Sequence, residues 1–229
     1  MRDRSSLVTR LRDPATHRSW ALAANDGIIA TAGLLLGFTG AGASDRLLLF
    51  TAIAATIAGV FSTAGAKWAE VAAEREAQLL IVEREQADIA RDPQGEVREL
   101  TEYWRTKGLS DEVARAVAEQ LNASDALGAQ LEWEYGFDAP LPRSEPIWAG
   151  AIGGGAYAIG ALVPVLINYF APVRIETWAI LTAMLIAFGL TSAIASRVGQ
   201  MQARSMLVRS LVVGACTLVG SFVIGEWLI

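Results

Sequence analysis

Five long apolar runs alternate with polar segments along the chain. Each has about 20 residues, the length that a helix needs to cross the hydrocarbon core of a bilayer. The runs cover residues 20–41, 47–68, 147–170, 175–196 and 207–229. An odd number of spans places the two termini on opposite sides of the membrane. The pattern predicts an all-α, polytopic membrane protein with five transmembrane helices.

The polar segment 71–145, between spans 2 and 3, has a helical pattern of its own. The span 2 helix has no stop signal after Trp68 and is expected to continue until Asp92-Pro93, where proline ends one helix and begins another. Gly108 is a natural end for this second helix, and Ser110 a natural cap for a third. A fourth helix is expected in "ALGAQLEWEYGF". The segment is therefore predicted to be a small helical domain.

Charge is distributed very unevenly. The chain has 53% hydrophobic residues, a mean hydropathy of +0.36 and a formal charge of −5. Of its 24 acidic residues, 17 lie in segment 71–145 beside 8 basic ones, which gives that segment a charge of −9 (8 minus 17). Such a domain favours cations and is not expected to bind nucleic acid. The single cysteine, Cys216, excludes a disulfide framework within the chain.

The distribution of arginines predicts how the chain is oriented in the membrane. The N-terminal arm 1–19 holds five of them, whereas the first turn and the loop after span 3 hold one each. By the positive-inside rule, the N-terminus, the acidic domain and the span 4 to 5 loop are cytoplasmic. A cleaved signal peptide is an alternative for span 1, but that run is too long and contains an acidic residue.

That acidic residue is Asp26, within "LAANDGIIATAGLLLGF". A charge at membrane depth costs from roughly 3 to more than 10 kcal/mol, so it normally faces a protein interior and serves a function. Asp26 is therefore a candidate functional residue.

Carboxylates in the domain are candidate metal ligands. Glu96 and Glu99 share a helical face, and the preceding helix offers Glu76, Glu83 and Glu85. Carboxylate oxygens suit Mg²⁺, Ca²⁺ and Mn²⁺, and they also accept Fe²⁺. On spacing alone, glutamates interspersed with arginines are more commonly a solvated face.

Several motifs together resemble the vacuolar iron transporter family. They are "ANDGIIATAGLLLGFTGA", "YWRTKGLSDEVARAVAEQL", "GALVP" and "ARSMLVRSLVVGACTLVGSFVIGEWL", and the resemblance extends from about Ser19 to the C-terminus. It implies five spans, a cytoplasmic glutamate-rich metal-binding domain, and a homodimer in the bilayer with its pore between subunits. It also implies exchange of Fe²⁺ or Mn²⁺ for protons, with no organic cofactor.

The resemblance assigns roles to individual residues. Asp26 matches the pore carboxylate of span 1, and Glu96 and Glu99 match the E-x-x-E of the metal-binding domain. Glu83 and Glu134 match further metal ligands of that domain.

Other positions depart from the family pattern. In span 2, "STAGAKW" places Thr63 where the family has methionine and Lys67 where it has glutamate. Lys67 lies about 30 Å along span 2, near the cytoplasmic boundary, and Asp26 about 9 Å from the same boundary. Lys67 therefore either extends to the lipid headgroups or pairs with Asp26. The remaining departures are Gln86 for a glutamate, Gln130 and Leu131 for methionines, and Ile167-Asn168 for the second proline after "GALVP".

The sequence therefore predicts an integral membrane transporter that exports divalent metal, Fe²⁺ or Mn²⁺, from the cytosol by proton exchange. Its membrane would be the plasma membrane in a prokaryote and the vacuolar or another endomembrane in a eukaryote. The alternative is a non-transporting, membrane-anchored metal-binding or sensing protein whose pore site is degenerate at Lys67. An enzyme is not expected, because the only histidine, His17, lies in the N-terminal arm and no nucleophile and base pair is evident.

Overall fold

A computed structural model of the chain describes residues 14–171, 173–197 and 202–227, and these residues form helices joined by short turns. Four of the five arginines of the arm (Arg2, Arg4, Arg10 and Arg12) and the C-terminal Ile229 lie outside the described residues. The helices are α1 (Pro14–Gly40), α2 (Asp45–Arg91), α3 (Pro93–Thr106), α4 (Asp111–Gln130), a π-helix (Leu131–Tyr135), α5 (Glu145–Phe170), α6 (Val173–Arg197) and α7 (Ala203–Trp227).

Five of these helices, α1, α2, α5, α6 and α7, are long and apolar enough to cross a membrane. This confirms the predicted all-α class and number of spans within the described residues. The chain divides into two compact units, one made of residues up to Ala69 and from Pro146, the other of Glu70–Glu145. Helix α2 contributes to both units.

Local chemistry sets the helix ends in unit Glu70–Glu145. The Asp92 carboxylate accepts a hydrogen bond from the amide of Gly95 at 2.8 Å, and Pro93 begins α3, as predicted. Gly108 follows α3 with a positive φ of 98°, the conformation expected of a helix-terminating glycine. Ser110 precedes α4, but its side chain makes no capping hydrogen bond.

The predicted third and fourth helices are joined as α4 with a kink at Asp125. The Asp125 side chain accepts a hydrogen bond from the amide of Gly128 at 2.9 Å and so caps the second part of α4. The end of the predicted fourth helix is not α-helical. Its residues Leu131–Tyr135 form a π-helix, which is followed by Gly136 with a φ of 76°. Such an insertion changes which side chains of the segment share a face.

In the other unit, α1 is the central helix. Its residues Ala32 and Leu35 are fully buried, in a core that includes Phe188 of α6 and Leu218 of α7. Small residues allow the backbones of α1 and α7 to approach each other closely, as is usual between membrane helices. A Cβ added to Gly225 of α7 would lie 2.1 Å from the carbonyl oxygen of Gly37.

Helix α5 packs against both α1 and α2 through glycines. A Cβ on Gly160 would lie 1.9 Å from the carbonyl oxygen of Ala24, and one on Gly27 would lie 2.2 Å from that of Tyr157. Toward α2, the Gly150 and Gly154 positions contact Ala64. These contacts leave no space for side chains at the crossings.

We predict that Gly160→Ala destabilises the membrane unit by about 1–3 kcal/mol, because its methyl group would meet backbone that cannot rotate away. Gly155→Ala on the same helix is the control, since a Cβ there meets nothing within 4 Å. The apparent melting temperature of detergent-purified protein should fall only for Gly160→Ala. Equal melting temperatures for the two variants would contradict the packing described.

Candidate functional site

Three consecutive residues of α1 point in three directions. Asn25 is buried at 4% exposure, Asp26 is exposed on the surface of the unit, and Gly27 lies against the backbone of α5. Successive residues of a helix are separated by about 100°, so the three side-chain positions must face different neighbours. The Asn-Asp-Gly sequence thus places the carboxylate on a surface between two packing contacts.

Asn25 links α1 to two other spans. Its amide nitrogen donates to Ser210 Oγ of α7 at 2.8 Å, and its amide oxygen accepts from Thr191 Oγ1 of α6 at 2.7 Å. Interhelical hydrogen bonds of this kind are worth about 0.6 kcal/mol on average in a membrane. Asn25 was not among the residues predicted to be functional, although a polar amide within an apolar run is a visible signal.

Asp26 is within electrostatic range of Tyr157 of α5. The carboxylate is near enough to act electrostatically on the Tyr157 phenol, and Tyr157 itself is 6% exposed. The phenol extends toward α2, where a Cβ on Gly59 would lie 2.2 Å from its oxygen. Sequence reasoning missed Tyr157 as well, because its relation to Asp26 depends on helix packing.

Lys67 and Thr63 lie on the α2 face that packs against α5. A Cβ added to Gly153 would lie 3.0 Å from Lys67 Cγ and 3.8 Å from Thr63 Cγ2. Lys67 is half-buried. Because Gly153 precedes Tyr157 by four residues, Lys67 and Asp26 border α5 at positions about one helical turn apart.

A separate cluster of carboxylates lies within unit Glu70–Glu145. Glu85 of α2 is 4% exposed and its carboxyl group is hydrogen-bonded to Glu96 of α3, with Glu134 of the π-helix close by. Glu99 is near enough to Glu96 to act on its charge. Thus, of the four predicted domain residues, Glu96 is within electrostatic range of both Glu99 and Glu134.

Glu83 lies elsewhere on the helix surface. It is exposed, whereas Glu85, two residues later, faces the cluster. Two residues correspond to about 200° around a helix, so the two side chains point to opposite sides. Glu85 is therefore the α2 carboxylate that meets Glu96 and Glu134 in this structure.

Gln130 fixes the position of the π-helix against α3. Its side chain is 1% exposed; its amide nitrogen donates to the backbone oxygen of Glu96 at 2.9 Å, and its amide oxygen accepts from Trp133 Nε1. The Trp133 ring in turn packs on Tyr103 of α3, with 4.9 Å between ring centroids. These contacts hold the backbone of Glu96 near the segment that carries Glu134.

The arginines near the cluster pair with other carboxylates. Arg98 binds Asp92 at 3.1 Å, and Arg105 binds Asp111 at 2.6 Å. Arg91 binds Asp88. These pairs resemble the solvated face that the sequence alone favoured, whereas Glu85 is buried, Glu96 is half-buried, and the two contact each other.

The carboxylates of the cluster raise one another's pKa. Burial, followed by the charges of Glu96, Glu134 and Asp88, raises the pKa of Glu85 to about 7. Burial and the charge of Glu99 also raise the pKa of Glu96, while its hydrogen bond with Glu85 opposes that shift. A protonated Glu85 that donates to an ionised Glu96 accounts for both directions.

No three His, Cys, Asp or Glu side chains in the described residues are arranged to hold a metal ion. The carboxylates are of the right chemical type for a hard dication. A metal ion bound by them would have to displace any proton that they hold.

We predict that Glu85→Gln stabilises the metal-free protein, and does so more strongly at pH 8 than at pH 5.5. The pKa of Glu85 is higher in the folded protein than its ordinary 4.5, so stability falls as pH rises from about 4.5 through 7 and Glu85 ionises. Glutamine removes that ionisation cost. The measurement is the apparent melting temperature of the full chain in detergent with a chelator.

Glu83→Gln is the matched control for Glu85→Gln, because it removes an exposed carboxylate from the same helix. Its melting temperature should follow that of the unmodified chain at both pH values. A stabilisation by Glu85→Gln that is the same at pH 5.5 and 8 would contradict the shifted pKa.

Comparison with known proteins identifies relatives. The chain is 29% identical over 157 residues to the vacuolar iron transporter of Acanthamoeba castellanii, which covers 69% of this chain and 57% of that protein. It is 28% identical over 157 residues to vacuolar iron transporter 2 of Oryza sativa subsp. japonica, with 68% of this chain and 63% of the relative covered. Each of these alignments spans less than two thirds of the relative's length.

A third relative is vacuolar iron transporter 1 of Eucalyptus grandis, 29% identical over 178 residues, with 75% of this chain and 71% of the relative covered. All three relatives are named as transporters and none as an enzyme. The sequence pattern of the VIT family matches residues 17–226, nearly the whole chain. This confirms the resemblance found in the sequence motifs: the chain is an integral membrane protein that belongs to the VIT family.

Proposed function

We propose that this protein exports divalent metal, Fe²⁺ or Mn²⁺, from the cytosol in exchange for protons, with Asp26 as the carboxylate that contacts the ion within the membrane. The observation that carries the proposal is the exposed position of Asp26 on an apolar helix. In lipid, that charge would cost from roughly 3 to more than 10 kcal/mol. Water or another protein surface must therefore meet it.

A second copy of the chain is the proposed partner of this surface. Leu22, Asp26 and Ala30 recur at four-residue intervals and are all exposed, so they form one stripe along α1. Two-fold association through this stripe would place two Asp26 carboxylates opposite each other and shield them from lipid. A pore between the subunits of a homodimer would then carry the ion.

The acidic unit is proposed to collect metal on the cytosolic side, which is the side that the positive-inside rule predicts for it. Glu96, Glu99 and Glu134 are the proposed ligands, and Glu85 joins them because it lies against Glu96. Glu83 stays a predicted ligand. Metal binding would release the proton held at Glu85, so affinity should rise with pH.

Lys67 is proposed to reach Asp26 and to compete with the ion for it. The placement of both residues beside α5, about one turn apart, supports this. An ammonium group near the carboxylate would weaken cation binding by charge repulsion. Thr63, which replaces a methionine of the family pattern, leaves oxygen as the available ligand and favours the harder Mn²⁺.

We predict that Asp26→Asn abolishes Mn²⁺ and Fe²⁺ uptake into proteoliposomes that contain the purified chain under an imposed pH gradient, because it removes the ion's charged ligand. Lys67→Glu should increase uptake, since it exchanges a repelling charge for an attracting one. Metal entry is measured with an internal metal-sensitive dye and proton movement with an internal pH indicator.

Asp45→Asn is the control, because Asp45 is an exposed carboxylate at the start of α2. It should transport like the unmodified chain. Absence of flux from the unmodified chain for every ion and gradient would refute the exchanger. Metal binding that persists under those conditions would support the non-transporting alternative.

We predict that Glu96→Gln combined with Glu99→Gln lowers Mn²⁺ affinity by roughly tenfold or more, since affinity for hard dications depends on the number of charged ligands. The measurement is calorimetric titration of the full chain in detergent, in the Asp26→Asn background so that only the acidic unit is titrated. The double change Glu102→Gln and Glu119→Gln removes the same charge from exposed positions. If both double variants weaken binding equally, the effect is merely that of net charge.

A further inference from the structure

The stretch of chain that leads from the acidic unit back to the membrane is held against α2 by two hydrogen bonds. In this return segment, residues 136–144, Leu141 lies between two prolines. Arg75 Nε donates to the Leu141 backbone oxygen at 2.9 Å, and the Leu141 amide donates to Gln78 Oε1 at 2.8 Å. We call these two contacts the clamp. Both backbone groups of Leu141 are therefore bound by side chains of one helix.

Local sequence prepares both sides of the clamp. The two flanking prolines have no N–H and favour extended backbone, so Leu141 has the only amide hydrogen of the three residues. Arg75 and Gln78 are three residues apart on α2 and therefore share a face. The Gln78 amide nitrogen donates to the Glu74 carboxylate at 3.3 Å, which leaves the amide oxygen directed to Leu141.

The α2 face that carries the clamp also carries the buried carboxylate of the acidic cluster. Between residues 75 and 89, the side chains at 75, 78, 81, 82, 85, 88 and 89 are buried or half-buried and all the others are exposed. This is the spacing of a single helical face. Glu85 follows Gln78 by seven residues, which is about two turns or 10 Å along the helix. One face of α2 therefore binds the return segment and presents Glu85.

Glu134 lies between two anchors of one stretch of chain. Before it, the Gln130 side chain donates to the backbone oxygen of Glu96 at 2.9 Å, which fixes the start of the π-helix on α3. After it, the chain is fixed on α2 at Leu141. Only ten residues lie between Gln130 and Leu141. The position of Glu134 thus depends on both anchors, one on each of the helices that supply the other carboxylates.

We propose that Arg75 and Gln78 are positioning residues for metal binding by the acidic unit, because they hold the stretch of chain that carries Glu134. The proposal rests on the metal-collecting role proposed above and adds to it two residues that touch no metal ion. Without the clamp, the stretch would lose its anchor on α2, and ordering its carboxylate at the ion would cost more conformational entropy. The clamp therefore raises metal affinity by preorganisation.

The sign of the effect distinguishes positioning from charge. Arg75 is a cation in segment 71–145, whose charge is −9 (8 minus 17). If Arg75 acted through its charge, its removal would strengthen the binding of a dication. If it acts through the clamp, its removal weakens binding. Gln78→Met removes the other half of the clamp without any change in charge.

The test is calorimetric titration of the full chain with Mn²⁺ in detergent, in the Asp26→Asn background. Loss of one hydrogen bond should raise Kd about fivefold in Gln78→Met. Arg75→Met should also raise Kd, although it removes a positive charge. The controls are Gln120→Met and Arg115→Met, which make the same changes at exposed positions of α4 and should not raise Kd.

A second measurement leaves the clamp intact. Because coupling between binding events is reciprocal, Mn²⁺ should stabilise the clamp by the same factor by which the clamp raises Mn²⁺ affinity. Saturating Mn²⁺ should therefore slow hydrogen–deuterium exchange of the Leu141 amide by about fivefold. The flanking prolines have no amide hydrogen, so a short peptide reports this exchange by mass spectrometry. The slowing should be absent when Glu96 and Glu99 are changed to Gln.

The outcomes separate this inference from the metal-binding proposal. A Kd that is unchanged in Gln78→Met or lowered in Arg75→Met would overturn the role of the clamp, and so would Leu141 exchange that Mn²⁺ does not slow. A lower melting temperature in Gln78→Met with an unchanged Kd would make the clamp a purely structural contact, which also overturns the inference. If the double change of Glu96 and Glu99 weakens binding no more than its charge control, the proposed ligands and this inference fail together.

Discussion

The backbone contact between α1 and α5 determines where the charge of the membrane unit lies. Gly27 and Gly160 each face a carbonyl oxygen at a distance that excludes any side chain. Once Gly27 is fixed, helical geometry also fixes its two predecessors, with Asn25 directed to α6 and α7 and Asp26 to the surface. The carboxylate is therefore positioned by the packing of its neighbours in sequence.

In the acidic unit, the charged side chains are positioned by contacts between side chains and not by close packing of glycine backbones. Its carboxylates come from three helical segments, and the contacts of Gln130 and Trp133 hold two of those segments together. Bringing like charges together is unfavourable, and that cost raises the pKa of Glu85. The proposed dication would supply these carboxylates with more positive charge than one proton does.

Much of the helical structure could be predicted from local sequence. The stop at Asp92-Pro93 and the glycine after α3 depend on backbone conformations that only nearby residues determine. Asp26 could be predicted to be a functional residue because a carboxylate within an apolar membrane span is costly and is rarely kept without a function. The hydrogen-bond partners of Asn25 are 166 and 185 residues away, and no local pattern indicates them.

In the acidic unit, too, local sequence does not show which side chains meet, even for residues that are close in sequence. Glu83 and Glu85 are equivalent in composition and spacing, and only the packing of α2 on α3 makes one of them exposed and the other buried. The π-helix has no sequence signature that was recognised, yet it determines which way Glu134 faces. Residue type was therefore predictable at this site, whereas the choice among neighbouring glutamates required the tertiary structure.

Helix α5 is next to several of the charged and close-packed positions of the membrane unit. It presents Gly153 to Lys67, Tyr157 to Asp26 and Gly160 to the backbone of α1, over fewer than two and a half turns. A cation of α2 and a carboxylate of α1 thus border the short stretch of α5 that carries the phenol. In the proposed transport cycle a metal ion at Asp26 must overcome the repulsion of the lysine. Because the lysine and the carboxylate are on different helices, a shift of α2 relative to α1 would change that repulsion while the carboxylate kept its place on α1.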